Sequence, residues 1–183
     1  HEKFYGELFT KGTDRAVAFR DSNPIFQLVK KQAPLNKIVS SDWTKDNVQK
    51  LFSMKDATEF ILLDHIMNQQ DRFGNIAEQD KIVYITHDEK DIDDKELTIE
   101  SDMADYEEDK KENIVDSKFA PLTIKSMILK DNDCGVTKSN VVKTAHLLEQ
   151  VAHMSPKTYK KLLKFERSIE DNKSFFTSNL MFT

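Results

Sequence analysis

Two short apolar runs of strand-like composition, Ile82–Thr86 and Met127–Leu129, each adjoin a polar loop rich in Asp and Asn, and this constrains the chain more than any other feature. The first loop precedes its strand. It runs Asp64-His-Ile-Met-Asn68-Gln-Gln-Asp71-Arg72-Phe-Gly-Asn75 and follows an apolar helical run. The second follows its strand, as Lys130-Asp131-Asn132-Asp133-Cys134-Gly135. A helix leading through one polar loop into a strand, and a later strand leading into another, predict an α+β fold with short strands flanking the loops. Polar loops of this kind suit Mg²⁺-dependent phosphoryl transfer. One acidic group orients the attacking hydroxyl, and another carboxylate with an amide oxygen holds the metal on the phosphates.

Helical signals dominate the rest. Pro24 fits the first position of a short helix, Ile25 to Lys31, with Asn23 as its cap. Thr44 or Asp42 caps a helix with Val48, Leu51 and Phe52 on one face, and Ser53-x-x-Asp56 reads as a capping box that opens another. On that next helix Ala57, Phe60, Ile61 and Asp64 recur at helical spacing. Asp64 therefore ends an apolar stripe, where a carboxylate needs a partner, and that reads first as a structural tie to the following loop. Thr137 or Ser139 caps a helix bearing Val141, Ala145, Leu148 and Ala152. Ser155-Pro156 starts a last one, with Tyr159, Leu162, Leu163, Phe165 and Ile169 on it. Residues 1–40 read as an N-terminal segment or lobe connector, and 41–183 as the main body, with an acidic insertion at 88–118.

Between Asp88 and Glu112 thirteen acidic residues stand against four lysines, which predicts a solvated, mobile insertion. Calcium is the sharper alternative, but the stretch has no EF-hand spacing and no Gly. The whole chain has 183 residues and a net charge of −5. That balance argues against non-specific nucleic-acid binding, which needs clustered cations. No apolar run approaches the roughly 20 residues of a membrane span. The lone Cys134 forms no internal disulfide and has no spaced His to activate it. His65 reads as packing, and His146 and His153 lie two helical turns apart, too far for joint metal binding.

Within the loops each residue has a role that its chemistry permits. Asp71 can accept the proton of an acceptor hydroxyl, and Arg72 can pair with a carboxylate or a phosphate. Asn68 and Asn75 can brace the loop or ligate Mg²⁺ through oxygen. Asp131 and Asn132 sit at the end of an apolar strand, where a carboxylate can hold a metal; Asp133 competes for that role. An ordinary helix-to-strand turn favours the same residue types for backbone reasons alone.

The pattern Asp64-x3-Asn68-x2-Asp71-Arg72, followed by Asp131-Asn132 after an apolar strand, resembles the C-lobe of atypical kinases. The likeness is to secretory-pathway kinases of the Golgi casein kinase type and their bacterial relatives, and more distantly to HipA-type toxin kinases and phosphatidylinositol kinases. It covers roughly residues 45–170, with about a dozen positions carrying it. The resemblance implies a predominantly α-helical, kinase-like C-lobe with a few short strands. It implies Asp71 as catalytic acid/base, Asp131 as metal ligand and Asn75 as its assistant. It also implies ATP with Mg²⁺ or Mn²⁺ and a protein or small-molecule hydroxyl acceptor. The four glycines, Gly6, Gly12, Gly74 and Gly135, form no phosphate-cradling cluster. An N-lobe is accordingly expected upstream of His1 or from a partner chain. The other reading is a non-catalytic, kinase-like binding module that engages a partner through the acidic insertion or the aromatic C-terminus, Phe175-Phe176 and Leu180-Met181-Phe182.

Overall fold

A computed structural model describes residues 24–67, 75–88, 91–130 and 148–172. The chain divides into two compact units, His1–His153 and Met154–Thr183. The described residues form an α+β structure of four α-helices and a three-stranded antiparallel sheet.

In the first unit, helix α1 (Pro24–Lys30) begins on a proline, whose fixed φ and missing N–H suit a helical first turn. Its expected cap, Asn23, lies outside the described residues. Ile25, Phe26 and Val29 of α1 and Val39 beyond it are buried with Met54, Ala57, Phe60 and Ile61 of the next helix. Phe26 and Phe60 meet edge to face, with ring centroids 6.0 Å apart.

Helix α2 is a single element, Lys45–Ile66. Thr44 is its cap, its side chain accepting from the Asn47 N–H at 3.3 Å. The expected second start at Ser53-x-x-Asp56 is overturned, because both residues lie inside the helix and are buried. The Ser53 hydroxyl donates back to the Gln49 carbonyl at 2.7 Å, the bond a mid-helix serine makes one turn up. Leu51, expected on the apolar face with Val48 and Phe52, is instead 37 % exposed, while those two are buried. The stripe Ala57, Phe60, Ile61 and Asp64 is buried as its spacing indicated.

Strand β1 (Ile76–His87) is the centre of the sheet. On one side it pairs with β2 (Lys95–Glu100), in a register running from Ile82 opposite Glu100 to His87 opposite Lys95. On the other it pairs with β3 (Leu122–Leu129), from Ile76 opposite Leu129 to Val83 opposite Leu122. Both strands extend beyond the short runs legible as apolar, because their outer residues alternate rather than cluster.

The acidic stretch is largely exposed, as its composition indicated, and it carries regular structure. Residues 95–100 are strand β2, and helix α3 spans Met103–Lys111. Asp102 caps α3 by accepting from the Ala104 N–H at 3.0 Å, and Lys110 and Lys111 complement its C-terminal dipole. One buried side chain anchors the helix. Tyr106 packs edge-on against Tyr84 with centroids 5.0 Å apart, and the Tyr84 hydroxyl donates to Asp109 at 2.6 Å.

Helix α2 runs along the outer edge of β3. The Lys125 N–H donates to the Gln49 side-chain oxygen at 2.7 Å, and the Gln49 amide donates to the Lys125 carbonyl at 2.8 Å. Two turns along, Asp56 accepts from the Met127 N–H at 2.8 Å and from the Ser126 hydroxyl at 3.0 Å. These side chains take the place of a fourth strand. The apolar groups of α2 then close over both faces of β3, with Val48 and Phe52 against Val83 and Ile124, and Ala57, Phe60 and Ile61 toward Ile76, Met127 and Leu129.

The expected helix through Val141 and Ala145 falls mostly at residues 131–147, outside the described residues, as do Cys134 and His146. Leu148 and Val151 pack against the first core cluster, and the His153 ring meets the Lys31 carbonyl at 2.7 Å. In the second unit, helix α4 (Pro156–Asp171) has the expected Ser155 cap, whose hydroxyl accepts from the Thr158 N–H at 3.1 Å. Leu162, Leu163 and Ile169 are half-buried and its lysines are exposed. The C-terminal aromatics lie outside the described residues.

Candidate functional site

One polar loop leads into, and the other leads away from, the same end of the sheet. Ile76 opens β1 and pairs directly with Leu129, which closes β3. One residue further out, the Lys130 N–H donates to the Asn75 carbonyl at 2.8 Å. The first loop therefore ends, and the second begins, at residues that are hydrogen-bonded to each other.

Helix α2 delivers the chain to the same region. Its last turn ends at Ile66, and the Met67 N–H donates to the Leu63 carbonyl at 2.9 Å. Asp64, in that last turn, is wholly buried, and Asn75 is 5 % exposed. These two polar residues bracket the first loop, one at its entry and one at its exit. Both are engaged in interactions in the folded chain. Around them lies apolar packing, with Ile61 and Ile76 buried in one cluster and Leu129 against it. A carboxylate set so deep, held by partners, fixes the start of a loop because releasing it exposes a charge to a low-dielectric interior.

Of the sequence-expected site residues, Asn75 is in the described structure, at the base of β1. Asn68, Asp71, Arg72, Asp131, Asn132 and Asp133 lie outside the described residues. Among the described residues no group of three or more His, Cys, Asp or Glu side chains is arranged to hold a metal ion. His65 is exposed on the last turn of α2.

Two other polar features sit away from this end. A cleft of about 210 Å³ lies beside the first turns of α2, lined by Lys45, Asp46, Lys50, Asp80, Thr123 and Lys125 among others. Lys125 and Asp80 face each other across the strands at 2.6 Å. That rung is four residues from the Ile76–Leu129 rung, on the order of 13 Å along the strand. The cleft thus shares no residue with the loops. The second feature is the acidic surface of β2 and α3. There burial, the hydrogen bond to Asp109, and the nearby charges of Glu100 and Asp105 hold the Tyr84 phenol well above its usual range.

Asp56 was missed as anything but a cap. Burial raises its carboxyl above the usual Asp value, although the Met127 and Ser126 hydrogen bonds and Lys55 oppose the shift. Its role is to hold β3 and hence the strand that ends at the second loop. A signal was available: Gln49, Ser53 and Asp56 are polar residues spaced to share one helical face among apolar neighbours, the pattern of a helix that must satisfy another element's backbone.

Compared with protein-family models, with curated proteins and with solved structures, the chain gives no match.

Proposed function

We propose that the protein is an ATP- and Mg²⁺- or Mn²⁺-dependent phosphotransferase of the atypical-kinase kind, acting on a hydroxyl-bearing acceptor. The observation that carries this reading is the Lys130–Asn75 hydrogen bond, which joins the exit of the Asp71 loop to the entrance of the Asp131 loop. Phosphoryl transfer depends on positioning an acidic group by the attacking hydroxyl while another holds the metal on the phosphates. Two polar loops whose ends are joined on paired strands support that reading. In this reading Asp71 orients the acceptor hydroxyl, and Arg72 steadies the developing charge. Asp131 holds the metal with Asn75, Asn132 or Asp133, and Asn68 and Asp64 shape the loop. The bound metal would supply charge neutralisation on the phosphates.

A thermal-shift titration of this chain, and of a form extended upstream, with ATP and Mg²⁺ or Mn²⁺ tests the reading. Stabilisation that is lost in Asp131→Ala, with phosphate transfer lost but stabilisation kept in Asp71→Ala, is the expected outcome. No nucleotide-dependent shift in either form overturns it.

A second reading, a kinase-like binding module without catalysis, is favoured by the folding of the acidic stretch into β2 and α3. It predicts no response to nucleotide.

A further inference from the structure

The sheet has two edges, and the chain treats them differently. The edge of β3 is covered by α2, with Gln49 and Asp56 hydrogen-bonded to its outward backbone groups. The edge of β2 has no such cover among the described residues. Its orientation follows from the central strand. The His87 N–H donates to the Ile114 carbonyl and the Asp116 N–H to the Ile85 carbonyl, so odd-numbered residues of β1 face the β3 side and even-numbered ones face β2. Alternation in an antiparallel ladder then turns Glu96, Thr98 and Glu100 inward to β1, and the backbone groups of Lys95, Leu97 and Ile99 outward.

Leu97 and Ile99 are 44 % and 41 % exposed, on the sheet face that carries Val83 and Ile85. Exposed edges are usually blunted by charges, prolines or bulges; on β2 the charges stand towards its two ends, Lys95 and Glu96 at one and Glu100 at the other, and the Leu97–Ile99 stretch between them has none. The opposite face of the same strand carries Glu96 and Glu100 and adjoins the acidic first turn of α3.

We propose that the β2 edge is a docking site for an extended segment of a partner protein in which apolar and basic residues alternate. The segment adds as a fourth strand. Its backbone pairs with Leu97 and Ile99, its apolar residues extend the Leu97–Ile99 face, and its Lys or Arg residues lie beside Glu96 and Glu100. Charge complementarity selects this occupant over a second copy of the chain. In the antiparallel self-pairing that sets Leu97 beside Ile99 of the other copy, Glu96 falls opposite Glu100 twice, and like charges directly opposite are destabilising. The inference is independent of nucleotide chemistry and stands or falls separately from it.

A fluorescently labelled short peptide of alternating Lys and Val, titrated against the full chain by anisotropy, tests it. The expected result is saturable binding that weakens at high salt and exceeds that of a Glu/Val peptide by about tenfold or more. Ile99→Pro removes an outward N–H without touching the β1 ladder, so it should abolish binding while leaving the melting temperature within a few degrees. If that variant unfolds, two peptides N-methylated at alternate backbone positions decide instead, because only one set of N–H groups faces the edge. Three results each overturn the proposal: equal binding of a block-rearranged Lys/Val peptide, equal binding of both N-methylated peptides, or a dimer of the chain that Ile99→Pro dissociates.

Discussion

Asp56 shows how one residue can be costly and necessary together. Its carboxylate is buried, which disfavours the charged form, yet it accepts the Met127 N–H and the Ser126 hydroxyl. Removing it leaves a buried backbone donor without its acceptor, so Asp56→Ala should destabilise the protein by about 1–3 kcal/mol. The pH dependence has a definite sign. The folded-state pKa is raised above the unfolded value of about 3.8, so the folded state holds the proton more tightly. Stability from this group is fully present below the unfolded pKa and is lost as pH rises through the folded one. Urea midpoints measured from neutral pH downward should therefore show the gap between wild type and Asp56→Ala widening on acidification; a narrowing gap contradicts the assigned cause.

At the scale of elements, α2 acts as a helix that replaces a strand. Gln49→Leu keeps most of the side-chain volume but withdraws both hydrogen bonds from Lys125, and should cost about 2–3 kcal/mol in denaturant unfolding. Thr44→Ala, which removes only the cap, should cost about 1 kcal/mol; equal losses in the two would mean that the edge contacts carry no special weight. The same helix marks the limit of what the sequence conveys. Its apolar stripe from Ala57 to Ile61 and the caps at Thr44 and Ser155 are local signals, read within a turn or two, and they agree with the structure. The contacts of Gln49 and Asp56 reach partners more than seventy positions away. Taken with Ser53 alone, Asp56 reads as a capping residue, which is why a helix start was expected there; only the face it shares with Gln49 and Ser53 sets it apart. Strand β2 and α3 were hidden for another reason: their acidic composition is that of an unfolded segment, and only Tyr106, Leu97 and Ile99 betray an ordered one. Of the candidate site, Asp64 was legible as the polar end of an apolar stripe and Asn75 as a loop amide, while the Lys130–Asn75 bond depends on strand register and could not be read.

Among the described residues, burial is concentrated in the sheet and in α1 and α2. Val83 and Tyr84 on β1 are wholly buried and flanked by paired strands, whereas α4 has no buried residue. Native-state hydrogen exchange should find the amides of Val83 and Tyr84 opening near the global free energy and those of α4 exchanging faster by roughly a thousandfold or more. Comparable protection in both would show that α4 is held by more than its own cap and turn contacts. The acid-rich surface has a place in this distribution too, since α3 hangs on the Tyr84–Tyr106 contact and the Asp109 bond rather than on a broad core.

The chain leaves the β1–β3 ladder after Val83 and rejoins it opposite the same residue at Leu122. Everything between is a detour whose two ends are fixed by the rung it returns to. Closing a longer or shorter excursion changes the chain entropy only slowly with length. Apart from the buried Tyr84 and Tyr106, a change of length in that detour therefore costs little and leaves the Lys130–Asn75 hydrogen bond at the far end of the ladder in place.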